Sequence, residues 1–267
     1  MKKAFIDEHE VFALGDDLEA SVHTIGPEKS KIVTIDNFYK NPEMVRDLAL
    51  QIPCTNNPII MAGAPGHRVD AYYDFSSLTP FFTNIFGSVY GDHMEEKKIT
   101  PARVEDSIKG LTFCVNVTQS ENLKPIVPHV DDDGGMLYAA SIFLNKDEEC
   151  AGGTSFYTLE GDQLGNPDKI DNWLKKKNKY PYYDNYITDS EEEWELIHLA
   201  EMKYNRFIMY PANILHTGYI KPGMFTGDTW RLVQMFFIFL GGPGTFLPVN
   251  HSEYQKFLKY GQYGEPK

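Results

Sequence analysis

Apolar and polar positions alternate with different periods in different parts of the chain. Residues 1–30 are mixed and weakly periodic, and predict partial strand and loop. "IVTIDNFY" at 32–39 reads as a strand running into a turn. "NPEMVRDLALQI" at 41–52 then has helical spacing, with Met44, Leu48 and Ile52 on one face, Asn41 placed to cap and Pro42 at the first helical position. "NPIIMAGAPGH" is loop-like, and "SSLTPFFTNIFGSVYG" at 76–91 predicts a second helix. From about residue 103 short strands take over: 110–119, "GMLYAASIFLN" at 135–145, "GGTSFYTL" at 152–159, "WELIHLAEM", "RFIMYPANILHTGYI" and "TWRLVQMFFIFL". The 135–145 run is apolar at every second and every intervening position, as in a strand covered on both faces. Residues 160–192 interrupt the rhythm with a helical stretch, "NPDKIDNWLKKK", then "YPYYDNY" and the acidic "DSEEE". Many short strands with turn signals predict a sandwich or barrel, with the two early helices packed outside it.

With 267 residues, 42% hydrophobic and 13% aromatic, the chain can bury a sizeable core and suits a single domain. The formal charge of −13 disfavours nucleic acid and anionic membrane as partners. Cys54, Cys114 and Cys150 lie far apart without a C-x-x-C, which argues against a disulfide framework or a structural zinc site. Acids interrupt the apolar run that a signal peptide needs, and "MFFIFL" is too short to span a bilayer, so the expected location is cytoplasmic.

The chemistry concentrates in "PHVDDDGG" at 128–135. On an extended strand residues i and i+2 share a face, so His129 and Asp131 project side by side while Asp132 points away. One imidazole and one carboxylate are two-thirds of a 2-His-1-carboxylate site. A second histidine, His216, follows a strand-like stretch far downstream, and Arg231 opens the apolar strand after it. Asp132 and Asp133 read as turn residues, and Gly152 and Gly153 as a bend or bulge.

This order of H-x-D, distant His and strand-opening Arg resembles the iron(II)/2-oxoglutarate-dependent dioxygenases, especially their prolyl-hydroxylase-like branch. "SIFLN" at 141–145 and "GGTSFY" at 152–157 are similar to segments of that branch, and "IDNFYKNPEMVRDLA" and "MKYNRFIMYPANILHTG" look like an uncharacterised set within it. The resemblance implies a mainly β fold with flanking helices, a double-stranded β-helix or jelly roll. It divides the chain into an N-terminal region at 1–102 packing on the barrel, a core at 103–240 carrying the 160–192 insertion, and a tail at 241–267. It further implies Fe(II) held by His129, Asp131 and His216, with three coordination positions left for 2-oxoglutarate and O2. Arg231 would hold the far carboxylate of 2-oxoglutarate, helped by Tyr138 or Ser141. Lys221 is the other cation after His216, but it lies an odd number of positions on and precedes Pro222. The implied activity is hydroxylation of an amino acid, peptide or small metabolite with release of succinate and CO2. The alternatives are a non-catalytic jelly-roll protein binding metal or ligand, and a zinc hydrolase, which would not need Arg231. A halogenase is disfavoured because Asp131 occupies the position a halide needs.

Overall fold

The computed structural model describes residues 7–55, 66–123, 127–131, 137–177 and 186–241. Its elements are α1 (Glu8–Val11), β1 (Glu19–Ile25), β2 (Ser30–Asp36), α2 (Pro42–Gln51), β3 (His67–Ala71), α3 (Thr79–Ser88), α4 (Gly91–Glu96), α5 (Pro101–Lys109), β4 (Phe113–Thr118), β5 (Leu137–Phe143), β6 (Gly153–Leu159), α6 (Pro167–Lys176), β7 (Trp194–Glu201), β8 (Phe207–Pro211), β9 (His216–Tyr219) and β10 (Arg231–Phe239). The strands form two antiparallel sheets, one in the order β1-β2-β8-β5-β10-β4-β3 and one in the order β7-β6-β9. The fold is a mainly β jelly roll with flanking helices.

Burial explains why the central strands lack alternation. Every residue of β5 and of β6 is buried. On one face of the large sheet, Tyr138, Ala140, Ile142, Phe236 and Ile238 pack with Phe82, Phe86, Val104 and Ile108 of α3 and α5. On the other face, Ala139, Phe143, Ile208 and Val233 meet Phe156 and Ala200 of the small sheet. The outer face of the small sheet is covered in turn: Tyr157, Leu159 and Trp194 pack with Trp173 and Leu174 of α6. A strand buried on both faces gains from apolar residues at every position.

Several boundaries differ from the sequence reading. The strand onset expected at 103 falls inside α5, which has its own signals: Thr100 caps the Arg103 amide, Pro101 opens the helix and Gly110 closes it. The helix expected over 76–91 is interrupted after Ser88, and α4 follows as a separate short helix. In α2 the buried residues are Val45, Leu48 and Ala49 rather than a Met44–Leu48–Ile52 stripe, and Asn41 makes no side-chain capping bond. The N-terminal region does more than cover the barrel. It adds β1 and β2 at one edge of the large sheet and β3 at the other. The expected turn at Asp132–Gly135 and most of "YPYYDNY" and the 241–267 tail lie outside the described residues. All three cysteines are free. Among the described residues no helix is long and apolar enough to cross a membrane.

The difference that matters most concerns "RFIMYPANILHTGYI". It is not one strand but two, in different sheets: β8 ends at Pro211 in the large sheet and β9 begins at His216 in the small one. Pro211 supplies no amide hydrogen to continue a ladder. The turn after it carries the chain from one sheet to the other. Arg231 therefore does not stand on a strand paired with that of His216. It opens β10 in the large sheet and faces His216 across the space between the sheets.

Candidate metal centre

His129 lies outside the named strands but forms an isolated antiparallel bridge with His216. Each backbone amide donates to the other's carbonyl at 2.9 Å, and two residues on the Asp131 amide donates to the Ala212 carbonyl at 2.9 Å. These three bonds tie the H-x-D segment along the start of β9. The two imidazole centroids are 4.8 Å apart. His129 Nε2 is 3.6 Å from Asp131 Oδ1, and His216 Nε2 is 3.3 Å from Asp131 Oδ2. One ligand atom from each of the three residues falls within 4.8 Å of the others. Donors about 2.1 Å from a first-row metal and at right angles to one another stand ~3 Å apart, so the three side chains fit one ion on a shared face.

The environment prepares these groups as ligands. His216 Nδ1 lies 2.8 Å from the Ile214 carbonyl. A carbonyl only accepts, so Nδ1 carries a hydrogen and Nε2 is the nitrogen turned toward Asp131. The Tyr210 ring packs edge-on against the His216 imidazole at 4.9 Å and fixes its plane. For His216, burial opposes protonation and is the strongest single influence, but the Asp131 charge, its hydrogen bond and the Ile214 carbonyl outweigh it, and the pKa is raised. Burial would raise the Asp131 pKa, but His216, His129 and Arg68 together hold it below the usual carboxylate value. His129 is pushed down to about 4, first by burial and then by the neighbouring His216, against the pull of Asp131. Asp131 thus favours the charged form of His216, while burial and His216 disfavour that of His129.

The same cavity contains Arg231, only 4% exposed. Its Nη2 donates to the Gly153 carbonyl at 3.0 Å, its Nε has no partner, and among the described residues no carboxylate pairs with it. Burial lowers its pKa, and the phenols of Tyr186 and Tyr210 act on it in the opposite direction. An arginine remains charged even so. A buried guanidinium with unused donors is a costly arrangement unless an anion completes it.

Of the other expected contacts, Ser141 lines this cavity. Tyr138 does not, which corrects the expectation. It is on the opposite face of β5, packed among the helices, and its hydroxyl is bonded to His93 Nδ1 at 2.6 Å. Positions 138 and 141 differ by an odd number, so one straight strand cannot aim both inward. Lys221 is spent outside, in an ion pair with Asp189 at 2.8 Å. The sequence reading passed over Tyr210, Tyr186, Asn116 and Arg68, which also line the cavity. Asn116 carried a signal: it is a polar residue in the middle of the apolar strand "FCVNVT".

The glycine pair places the Arg231 acceptor. Gly152 has φ +65°, and a Cβ there would run into the Tyr219 carbonyl oxygen; a Cβ on Gly153 would run into that of Ala200. Gly152→Ala should therefore lower stability by at least ~2 kcal/mol, from a positive φ combined with a backbone clash. Urea unfolding followed by circular dichroism measures this. A loss below ~0.5 kcal/mol would mean that the β6–β9 entry is not closely packed.

A jelly roll whose two sheets enclose a facial His-Asp-His cluster and a buried arginine defines the class to which this architecture belongs. The chain itself belongs to DUF6445, a family of unknown function, whose profile matches residues 16–230. No curated protein matches the sequence. Among solved structures it is similar to the non-heme alpha-ketoglutarate-dependent epimerase SnoN from nogalamycin biosynthesis, at 12% identity over 73% of this chain and 68% of that one, with a TM-score of 0.35. It is also similar to EctD from S. alaskensis in its apoform, at 10% identity over 83% of this chain and 84% of that one, with a TM-score of 0.24.

Proposed function

We propose that this chain is an Fe(II)- and 2-oxoglutarate-dependent oxygenase that hydroxylates an amino acid, peptide or small metabolite. The observation that carries this reading is Arg231: a buried guanidinium with no carboxylate partner among the described residues, in the cavity that also holds the three metal-binding side chains. A zinc hydrolase has no use for that cation, whereas a dicarboxylate co-substrate has. His129, Asp131 and His216 hold the metal on one face and leave adjacent positions open. When bound, Fe(II) supplies the chemistry that couples O2 and 2-oxoglutarate to C–H hydroxylation, with succinate and CO2 released. Arg231 binds the far carboxylate through its planar fork, with the Ser141 hydroxyl beside it. The Ile214 carbonyl would keep Nε2 of His216 turned to the metal, and Val233, Met235 and Phe237 give the cavity an apolar stretch of lining. The pairing with Asp131 raises the pKa of His216, so protons compete with metal for its Nε2 more strongly than at an ordinary histidine.

Anaerobic addition of Fe(II) and then 2-oxoglutarate should give a weak visible charge-transfer band, and admission of O2 with the right substrate should release succinate above the substrate-free background. A band without any substrate-stimulated succinate, across amino acids, peptides and protein extracts, would favour the non-catalytic binding protein. Absence of the band would remove the co-substrate reading.

A further inference from the structure

Two further imidazoles meet outside the candidate metal centre. His23 is on β1 and His198 on β7, and their ring centroids are 5.4 Å apart with a tilt of 35°. The His129–His216 pair of the candidate centre has nearly the same arrangement, 4.8 Å and 42°. Two imidazoles on one tetrahedral ion, each bound through a nitrogen about 2.1 Å away, put their centroids ~5 Å apart. Both spacings therefore suit a shared ion.

The topology explains why these two rings meet. β1 is the outermost strand of the large sheet, and β7 is an outer strand of the small one. Ser21, His23 and Ile25 share one face of β1, and Ile25 enters the core between the sheets with Phe156 and Ala200. On the small sheet, Phe156 of β6 stands opposite His198 on one side and His216 on the other. Its ring lies 6.0 Å from that of His198 and 6.4 Å from that of His216. Two strand spacings, about 10 Å, thus separate His198 from His216, which is too far for one ion to bind both.

The hydrogen bonds leave nitrogens available on both rings. Ser21 Oγ lies 3.1 Å from His23 Nε2. With that nitrogen engaged by an oxygen, Nδ1 is left to bind, which is the division found in metal-ligating histidines. His198 is half-buried, and among the described residues neither of its ring nitrogens has a hydrogen-bond partner. Burial, and then His23, lower its pKa, which favours the neutral form that binds metal. Among the described residues no carboxylate is ion-paired with either ring, so the protein donors are nitrogens. Imidazole donors suit Zn(II), Ni(II) or Cu(II), whereas Mg(II) and Ca(II) need oxygen. A bound ion would also have something to secure. Six of the seven residues of β1 are exposed, and among the described strands β1 pairs with β2 alone.

We infer that His23 and His198 form a second metal site, for a borderline divalent cation such as Zn(II), which clasps the outer strand of one sheet to an outer strand of the other. Water completes the coordination. The site stands apart from the oxygenase reading and does not depend on it.

Equilibrium dialysis of the metal-free full chain against Zn(II) tests this, with thermal melts beside it. The unaltered chain should take up two equivalents. His216→Ala should lose the equivalent of the candidate centre and keep the other. His23→Gln and His198→Gln should each weaken that other equivalent at least about tenfold. Zn(II) should raise the melting temperature of the His216→Ala chain, and leave it unchanged once His23→Gln is added. His23 is exposed, so His23→Gln decides if His198→Gln fails to fold. If His216→Ala fails to fold, the uptake of the unaltered chain against that of His23→Gln decides. The exposed His9, far along the chain from both rings, serves as the control for adventitious binding, and His9→Gln should change nothing. The inference is overturned if folded His23→Gln takes up as much Zn(II) as the unaltered chain, or if His9→Gln loses as much as His23→Gln does.

Discussion

His216→Ala should weaken Fe(II) binding by more than ~100-fold, beyond the 10–100-fold that losing a mere supporting partner of a ligand costs. The expected loss is large because, of the three proposed ligands, His216 is the most completely built into the fold. It is 5% exposed, its Nδ1 is engaged by Ile214, and its backbone is bridged to His129. Iron analysis after anaerobic reconstitution, with the far-ultraviolet spectrum as a check on folding, reads the effect; unchanged stoichiometry would strike His216 from the ligand set. The pH dependence of the unaltered protein should carry the same signature. Metal competes with the proton on His216, whose pKa is raised by its pairing with Asp131, so affinity falls as pH drops through a value above that of an ordinary histidine. His129 does not compete until the pH approaches its depressed value of about 4.

The second large effect should appear at Arg231, in two opposite directions. Arg231→Lys keeps the charge but loses the fork, and should raise the apparent 2-oxoglutarate constant at least about tenfold, or ~1.4 kcal/mol, with iron binding kept. Arg231→Ala should cost more. Arg231→Met, by contrast, should make the apo protein more stable by about 1–3 kcal/mol, because it removes a buried charge that the described residues do not neutralise. Ligand should then reverse the order: 2-oxoglutarate added to the metal-loaded protein raises the melting temperature of the wild type and leaves that of Arg231→Met where it was. Normal 2-oxoglutarate affinity in Arg231→Ala, or a greater loss in Lys221→Ala, would reassign the anion site. Lys221 is already paired with Asp189 at the surface, so its removal should change little.

How far these groups could be read from the chain differs from residue to residue. His129 and Asp131 were legible as a pair because their spacing is local, and an extended segment of three residues turns both the same way. Their junction with His216 was expected only from the family resemblance, since it depends on a bridge between residues far apart in sequence that no local spacing encodes. Tyr138 misled because β5 is apolar on both sides. When every position is buried, hydrophobicity no longer says which side faces the helices and which the cavity, and only the odd separation from Ser141 warned that one of the two must be wrong. Arg68 was lost with its strand. β3 is a five-residue edge strand following a glycine- and proline-rich stretch, and its place beside β4 comes from the ladder with "FCVNVT", not from its own pattern.

The amino-acid sequence alone determined the kinds of group and their order: an imidazole and a carboxylate two residues apart, a second imidazole, a glycine pair, and an arginine at the head of the last core strand. Short-range rules of extended backbone are enough for that, because they act within a few residues. The tertiary structure decided on which wall each group stands. The chain leaves the large sheet after Pro211 and enters the small sheet at His216, and burial of both faces of β5 and β6 holds the two sheets together. That packing sets Arg231 across from the His-Asp-His cluster rather than beside it. The gap between the sheets is a balance of many distant contacts, and no local period along the chain encodes it.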